Sequence, residues 1–411
     1  MIIIHQYALW NVCRGAHNLT KEVLNMKFSS KVEKCGLSPM RKFHPYAVAA
    51  EAKGRKIYHL NIGQPDVETP KQFFDAVRNF DQNVLAYAPS PGMPVLIKAI
   101  QKYYDNLDMH FDESEILVTT GGSEALSIVL QCILDDGDEI LIPEPFYPNY
   151  NTMTNVTGGS IRPIPTRPEA GINEHTRAIM CTNPGNPTGV VLTHEEMEMI
   201  VDIAKKHDLL VIGDEAYREF VYGGEPLQSF GEFAKEAPDN IVVIDTVSKR
   251  FSACGARVGC IISKNKGLMG NCMKFAQARL SVATLDQVAS AALYDVGPEY
   301  FAAVREEYKR RRDTVVAKLQ AIPGVISECP KGAFYIMAAL PVDDADKFQK
   351  WLLEEFEDNG DTVMFAPGAP MYGTPGKGKN EIRIAYILKQ ADLERAMDLL
   401  ALGIKKYNET H

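Results

Sequence analysis

The chain predicts an α/β fold: a large domain with a mainly parallel sheet covered by helices on both faces, joined to a smaller α+β domain. Three observations predict it. Between about residues 115 and 265, short apolar, β-branched runs recur: "EILVTT", "EILIP", "AIMCTN", "LLVIGD" and "NIVVIDT". Helical patterns alternate with them, clearest at "THEEMEMIVDIAKKHD". From about residue 296 the pattern changes to long charged helical stretches with a few short strands, "GAFYIMAAL" and "EIRIAYI" among them.

Each element has a local reason. Near-continuous apolar strands suit a sheet buried on both faces, which is the habit of parallel sheets. In the helical stretch, Thr193 and Glu196 form a capping box. Met197, Ile200, Val201 and Ala204 then follow at i, i+3, i+4 and i+7, so one face is apolar. Strand–helix–strand alternation of this kind defines α/β organisation. The expected divisions are residues 1–26, a disordered or mis-started extension; 27–62, an N-terminal arm and part of the small domain; 63–295, the large domain; and 296–411, the small C-terminal domain.

Composition narrows the function. Of 411 residues, 45% are hydrophobic and 24% charged, ordinary globular values that leave ample core. The net charge of −9 argues against nucleic acid as a partner. The "KRRR" run at 309–312 has acidic neighbours and reads as a solvated helix face. Eight cysteines, without a C-x-x-C pair, read as free thiols and so suggest a cytoplasmic protein. No apolar run approaches the roughly 18 residues of a membrane span.

The chemistry is read at the strand ends, because open α/β sheets bind ligands outside the carboxyl ends of their strands. "EILVTT" is followed by "GGSEAL", glycines and a serine opening a helix, a favourable place for a phosphate. "EILIP" leads into the aromatic "EPFYPNY", "AIMCTN" into "PGNPTG", "LLVIG" into "DEAY", and "NIVVIDT" into "VSKRFSACGAR". Singly, each has an ordinary reading: a turn, a helix cap, a packed tyrosine. Together they call for an anionic group, a flat ring, an acid facing a ring nitrogen and a lysine amine.

The segments "LNIGQPDVETP", "YAPSPG", "VTTGGSEAL", "PEPFYPNY", "NPGNPTG", "DEAY", "SKRFSACGARVG" and "EIRIAY" closely resemble those of the pyridoxal-phosphate-dependent aminotransferases of the aspartate aminotransferase fold. The resemblance spans about residues 38–405. It implies pyridoxal 5'-phosphate as cofactor, a Schiff base on Lys249, and ping-pong transamination between an L-amino acid, aspartate in first place, and a 2-oxo acid, 2-oxoglutarate in first place. It also implies a phosphate held by Arg257, Thr246, Ser248 and the N–H groups of Gly122 and Ser123. Asp214 would face the pyridine nitrogen, Tyr217 and Asn186 the ring hydroxyl, and Tyr147 the ring face, where some relatives carry tryptophan. Arg383 would clamp the substrate α-carboxylate, with the backbone of Gly63 opposite. Tyr87 would reach the neighbouring subunit's phosphate, which implies a homodimer with composite sites. Arg279 is the candidate for a second, distal carboxylate. The same cofactor site also serves alanine and aromatic aminotransferases and C–S β-lyases, and the quoted motifs leave these open.

Three motifs do not fit other chemistries. "GTPGKGKN" at 373–380 lacks the Ser/Thr and the following helix of a P-loop. "TTGGSEAL" lacks G-x-G-x-x-G. His194 has no second histidine at i+4, so it opens no zinc helix.

Overall fold

The computed structural model describes residues 27–165, 168–224 and 227–411. The expectation for residues 1–26 lies outside the described residues. A seven-stranded sheet runs in the order Ile116–Thr119, Gly259–Ile262, Ile241–Thr246, Leu210–Asp214, Thr176–Thr182, Glu139–Pro143, Ser160–Ile164. Gly259–Ile262 is antiparallel to both neighbours, and the other pairings are parallel. Six strands therefore point the same way and deliver their carboxyl ends to one edge.

Period-two alternation sorts this sheet's side chains into two cores. Leu117, Ile140, Met180, Ile212 and Ile244 face one cluster, packed by helices Gly121–Ile133 and Lys266–Arg279. Leu141, Ile179, Val211, Val243 and Ile262 face the other, where His194–His207 docks through Met197, Ile200, Val201 and Ala204. That helix carries the capping box expected of it: the Glu196 N–H donates to Thr193 Oγ1 at 3.2 Å, and the Thr193 N–H to Glu196 Oε2 at 2.9 Å.

The C-terminal part forms a four-stranded antiparallel sheet, with Ala366–Pro367, Glu381–Ala385, Tyr335–Ala339 and Ile326–Ser327 in that order. Helices Pro298–Gln320 and Gln390–Thr410 pack against each other beside it. An N-terminal segment joins in: Lys56–His59 pairs in parallel with Asp361–Met364, and helix His44–Ala52 packs on Ala345–Glu354. Among the described residues no helix is long and apolar enough to cross a membrane.

Two local readings differ. The "KRRR" run is not simply a solvated face, because Arg311 is buried. Val304, Tyr308, Arg311 and Val315 share one stripe of the helix, so its period turns Arg311 inward. There Arg311 bonds Asp66 at 2.6 Å, Glu307 at 2.8 Å and the Ile387 carbonyl. The second difference is at 246–259, which has no regular pattern in sequence. It folds as one helical turn, Val247–Arg250, capped by Thr246, and then a 3-10 turn, Cys254–Ala256.

Candidate active site

A cavity of about 370 Å³ opens at the carboxyl edge of the large sheet, closed from the other side by Tyr335 and Arg383 and by residues 38–41 and 61–63. Gly63, Gly122, Ser123, Tyr147, Asn186 and Asp214 line it, as do Tyr217, Thr246, Ser248, Lys249, Arg257 and Arg383. Each arrives from the end of a strand or the turn that follows, apart from Gly63 and Arg383.

Lys249 projects from the single turn Val247–Arg250. Its Nζ donates to the Gly63 carbonyl at 2.9 Å and lies 3.6 Å from Cys254 Sγ. Asp214, the last residue of its strand, is buried. Burial raises its carboxyl above the usual carboxylate range, against the pull of a 2.6 Å hydrogen bond from the Tyr150 hydroxyl and a 3.2 Å bond from the Ala216 N–H. Tyr150 also meets Thr182 Oγ1 at 2.7 Å and stands edge-on to Tyr147, centroids 5.4 Å apart.

Across the cavity, Arg383 Nη1 donates to Asn186 Oδ1 at 2.8 Å and Nη2 to the Asn61 carbonyl at 2.7 Å. Its guanidinium lies 4.4 Å from the Tyr335 ring centre, while its buried Nε has no partner in the described structure. Tyr217 bonds Tyr335 through their hydroxyls at 2.9 Å and meets Asn186 Nδ2 at 3.5 Å. Burial pushes the Tyr217 hydroxyl well above its ordinary pKa, so it is a neutral donor. Gly63 has no room for a side chain, because a Cβ there would stand 1.8 Å from Tyr335 Oη.

The floor is suited to an anion. Arg257 adopts a left-handed conformation, φ 51°, is exposed, and has no carboxylate partner among the described residues. A Cβ on Gly121 would come within 2.6 Å of Arg257 Nη2, so only glycine lets the arginine reach the start of helix Gly121–Ile133. Thr246 and Ser248 add hydroxyls 2.8 Å apart. This cradle of arginine, hydroxyls and helix start fits a phosphate. Beside it, the buried carboxylate and the lysine amine fit the rest of a pyridoxal phosphate.

Two expected residues lie elsewhere. Tyr87 is 82% exposed, beside the exposed Val84 and Leu85. Arg279 is outside the cavity of its own chain: Nη2 donates to the Val118 carbonyl at 3.1 Å and Nε lies 3.4 Å from Glu124. The cavity also contains residues that strand-end reading does not single out: Tyr150, Asn61, Tyr335 and Arg41. Tyr150 lay within the quoted aromatic loop, and its pairing with Asp214 is visible only in three dimensions.

Fold and cavity together define the class, an α/β enzyme whose cavity, lined by a lysine, a buried carboxylate and a buried arginine, fits a phosphorylated cofactor. The chain belongs to the aminotransferase class I and II family, whose model matches residues 55–400. It is thus a pyridoxal-phosphate-dependent transaminase, whose substrates are amino acids and keto acids. It is 30% identical over 410 residues to the aspartate aminotransferase of Bacillus subtilis, covering 94% of this chain and all of the relative. It is also 30% identical over 393 residues to a probable N-acetyl-LL-diaminopimelate aminotransferase of the same organism, covering 92% and 96%. Similar solved structures include the aspartate aminotransferase of Thermus thermophilus with maleate, at 26% identity and TM-score 0.82. An alanine aminotransferase from Pyrococcus furiosus gives 28% identity and TM-score 0.85; each structure matches 92% of this chain and all of its own.

Proposed function

We propose that the enzyme transaminates a dicarboxylic amino acid, aspartate first, with 2-oxoglutarate as acceptor, and that the cavity residues act as follows. Lys249 is the attachment point for the cofactor and, once released, carries the proton from the substrate α-carbon on its Nζ. The Gly63 carbonyl holds that amine in place. Arg257, Thr246, Ser248 and the N–H groups of Gly122 and Ser123 bind the phosphate. Asp214, kept in place by Tyr150, faces the ring nitrogen, and Tyr217 and Asn186 face the ring hydroxyl. Tyr147 covers the ring. Arg383 grips the α-carboxylate, a buried arginine whose fork matches it. When bound, the cofactor supplies the electron sink that stabilises a carbanion at the α-carbon.

The observation that carries this reading is the convergence of a lysine amine, a buried carboxylate and a buried arginine on one cavity. The dicarboxylate preference is supported by the names of the relatives and by the cavity's excess of basic groups. The alanine aminotransferase among the similar structures supports monocarboxylic amino acids as the second reading. A panel of amino acids against 2-oxoglutarate, scored by keto acid formed, tests both. Conversion of the bound cofactor to its amino form by amino acid alone distinguishes transamination from elimination. A failure of aspartate and glutamate to outrun alanine would overturn the dicarboxylate preference.

A homodimer is part of the same proposal. The solvent-facing strip of Val84, Leu85 and Tyr87, 71%, 63% and 82% exposed, supports it. Light scattering of the holoenzyme measures the mass directly. A cytoplasmic location fits the seven described cysteines, all free thiols.

A further inference from the structure

We infer that Arg41, contributed by the N-terminal arm of the same chain, is the cation that binds the distal carboxylate of the substrate. This rests on the dicarboxylate reading above and assigns its second clamp.

The argument begins with what holds the arm. Pro39–Arg41 is a single 3-10 turn, closed by the Arg41 N–H on the Ser38 carbonyl at 3.0 Å. Both neighbours of Arg41 are tied down. Met40 is buried against Ala366 and Met371. Lys42 pairs with Asp346 at 2.9 Å. The Arg41 side chain is also exposed but, unlike that of Lys42, has no hydrogen bond or ion pair among the described residues, and it lines the cavity. An arginine held by its backbone and free at its head is arranged to meet an anion that is not part of the protein.

The turn is also fixed relative to Arg383. Asn61 Nδ2 donates to the Met40 carbonyl at 3.0 Å, and the main-chain carbonyl of the same Asn61 accepts from Arg383 Nη2 at 2.7 Å. One buried residue therefore sets the spacing between the α-carboxylate arginine and the turn bearing Arg41. The electrostatics agree. Burial raises the Tyr147 hydroxyl, and Arg383 and Arg41 are the two cations that act against the rise, so both charges reach the same ring.

Counting charge leaves Arg41 without another task. The cavity is lined by Arg41, Lys249, Arg257 and Arg383 against a single carboxylate, Asp214. Arg257 answers the phosphate, Lys249 the cofactor's reactive carbon and Arg383 the α-carboxylate. A dicarboxylic substrate brings one more negative charge, and Arg41 is the remaining positive one. Arg279 is differently placed, already engaged with Glu124 and the Val118 carbonyl.

The test measures binding of two inert ligands, succinate and butyrate, to the holoenzyme by calorimetry, for the wild type, Arg41→Met, Arg41→Lys and Arg279→Leu. In parallel, the ratio of kcat/KM for aspartate to that for alanine is measured. The wild type is expected to prefer succinate. Arg41→Met should cut that preference, and the kinetic ratio, by about tenfold to a hundredfold, the loss of a hydrogen bond to a charged group. Arg41→Lys should recover part of it, since the point charge remains and the fork does not. If Arg41→Met keeps the preference and Arg279→Leu loses it, the clamp is Arg279 and the inference falls. Equal weakening of succinate and butyrate by Arg41→Met would assign Arg41 to the α-carboxylate or the phosphate instead. A wild type with no preference would overturn both this inference and the dicarboxylate reading, leaving transamination itself intact.

Discussion

Replacing Tyr150 with phenylalanine removes one oxygen from the cavity floor. That oxygen lies 2.6 Å from Asp214 Oδ2, and both residues are buried. A hydrogen bond donated to a carboxylate contributes about 1.5–3 kcal/mol. That bond holds the Asp214 carboxyl down against the rise from burial, so its loss raises the carboxyl further. Asp214 must be ionised to face a protonated ring nitrogen, so the acid limb of the kcat/KM profile should move to higher pH. At its optimum the variant should be about 10- to 150-fold slower. The fold should survive, because the ring of Tyr150 and its edge-on contact with Tyr147 remain. The assay is kcat/KM for the preferred substrate from about pH 5 to about pH 9, with circular dichroism as the check on folding. An acid limb unmoved in Tyr150→Phe, with a rate within about twofold of wild type, would show that Tyr150 only packs and does not hold Asp214 in its charged form.

Three further outcomes are expected. Lys249→Ala should abolish turnover and leave the cofactor bound only non-covalently; fixation of the cofactor to this variant by borohydride would point to another lysine. Asp214→Asn should lose several decades of rate, yet its apo form should melt no lower than wild type at neutral pH. The native carboxyl has a raised pKa, so the folded state keeps a proton that the unfolded state releases, and stability falls as pH rises through that window. Asparagine avoids this cost, an advantage that should fade below about pH 4, where both states are protonated; a lower melting temperature at neutral pH would refute it. Gly63→Ala should displace Tyr335, break the 2.9 Å Tyr217–Tyr335 bond and lower both thermal stability and kcat/KM; a variant indistinguishable from wild type would mean Tyr335 is free to move aside.

The large sheet and the strand-end groups were legible because they are local. "EILVTT" is a strand by its own residues, and the groups after a strand fall at the sheet's carboxyl edge wherever the strand sits. Met197, Ile200, Val201 and Ala204 declared the buried helix face by spacing alone. What stayed hidden was whatever depends on distant pairing. Arg311 reads as one member of a basic run until Asp66, far away in the chain, supplies its partner. Tyr150 reads as one more aromatic until the strand carrying Asp214 is laid beside it. Arg41 sits in an arm without a pattern, and only the packing of Met40 and the salt bridge of Lys42 show that its head is held free over the cavity. Arg279 was legible as a cation but not as the partner of Glu124.

The link between Asn61 and Arg383 also gives the site a direction in time. These residues stand 322 positions apart, and a ribosome extends the chain from the amino end. Once residue 262 has emerged, every strand of the seven-stranded sheet exists, and the cradle for the phosphate can close. The strand Lys56–His59 must still wait for Asp361–Met364, its backbone edge unpaired and Ile57, Tyr58 and Leu60 without their cover. Closing so long a loop comes late in any order of assembly. A nascent chain therefore gains a place for the cofactor before it gains a means of choosing a substrate. A truncation between residue 262 and Arg383 would produce an anion-binding torso with no grip on an amino acid, and with a sticky edge for chaperones to cover.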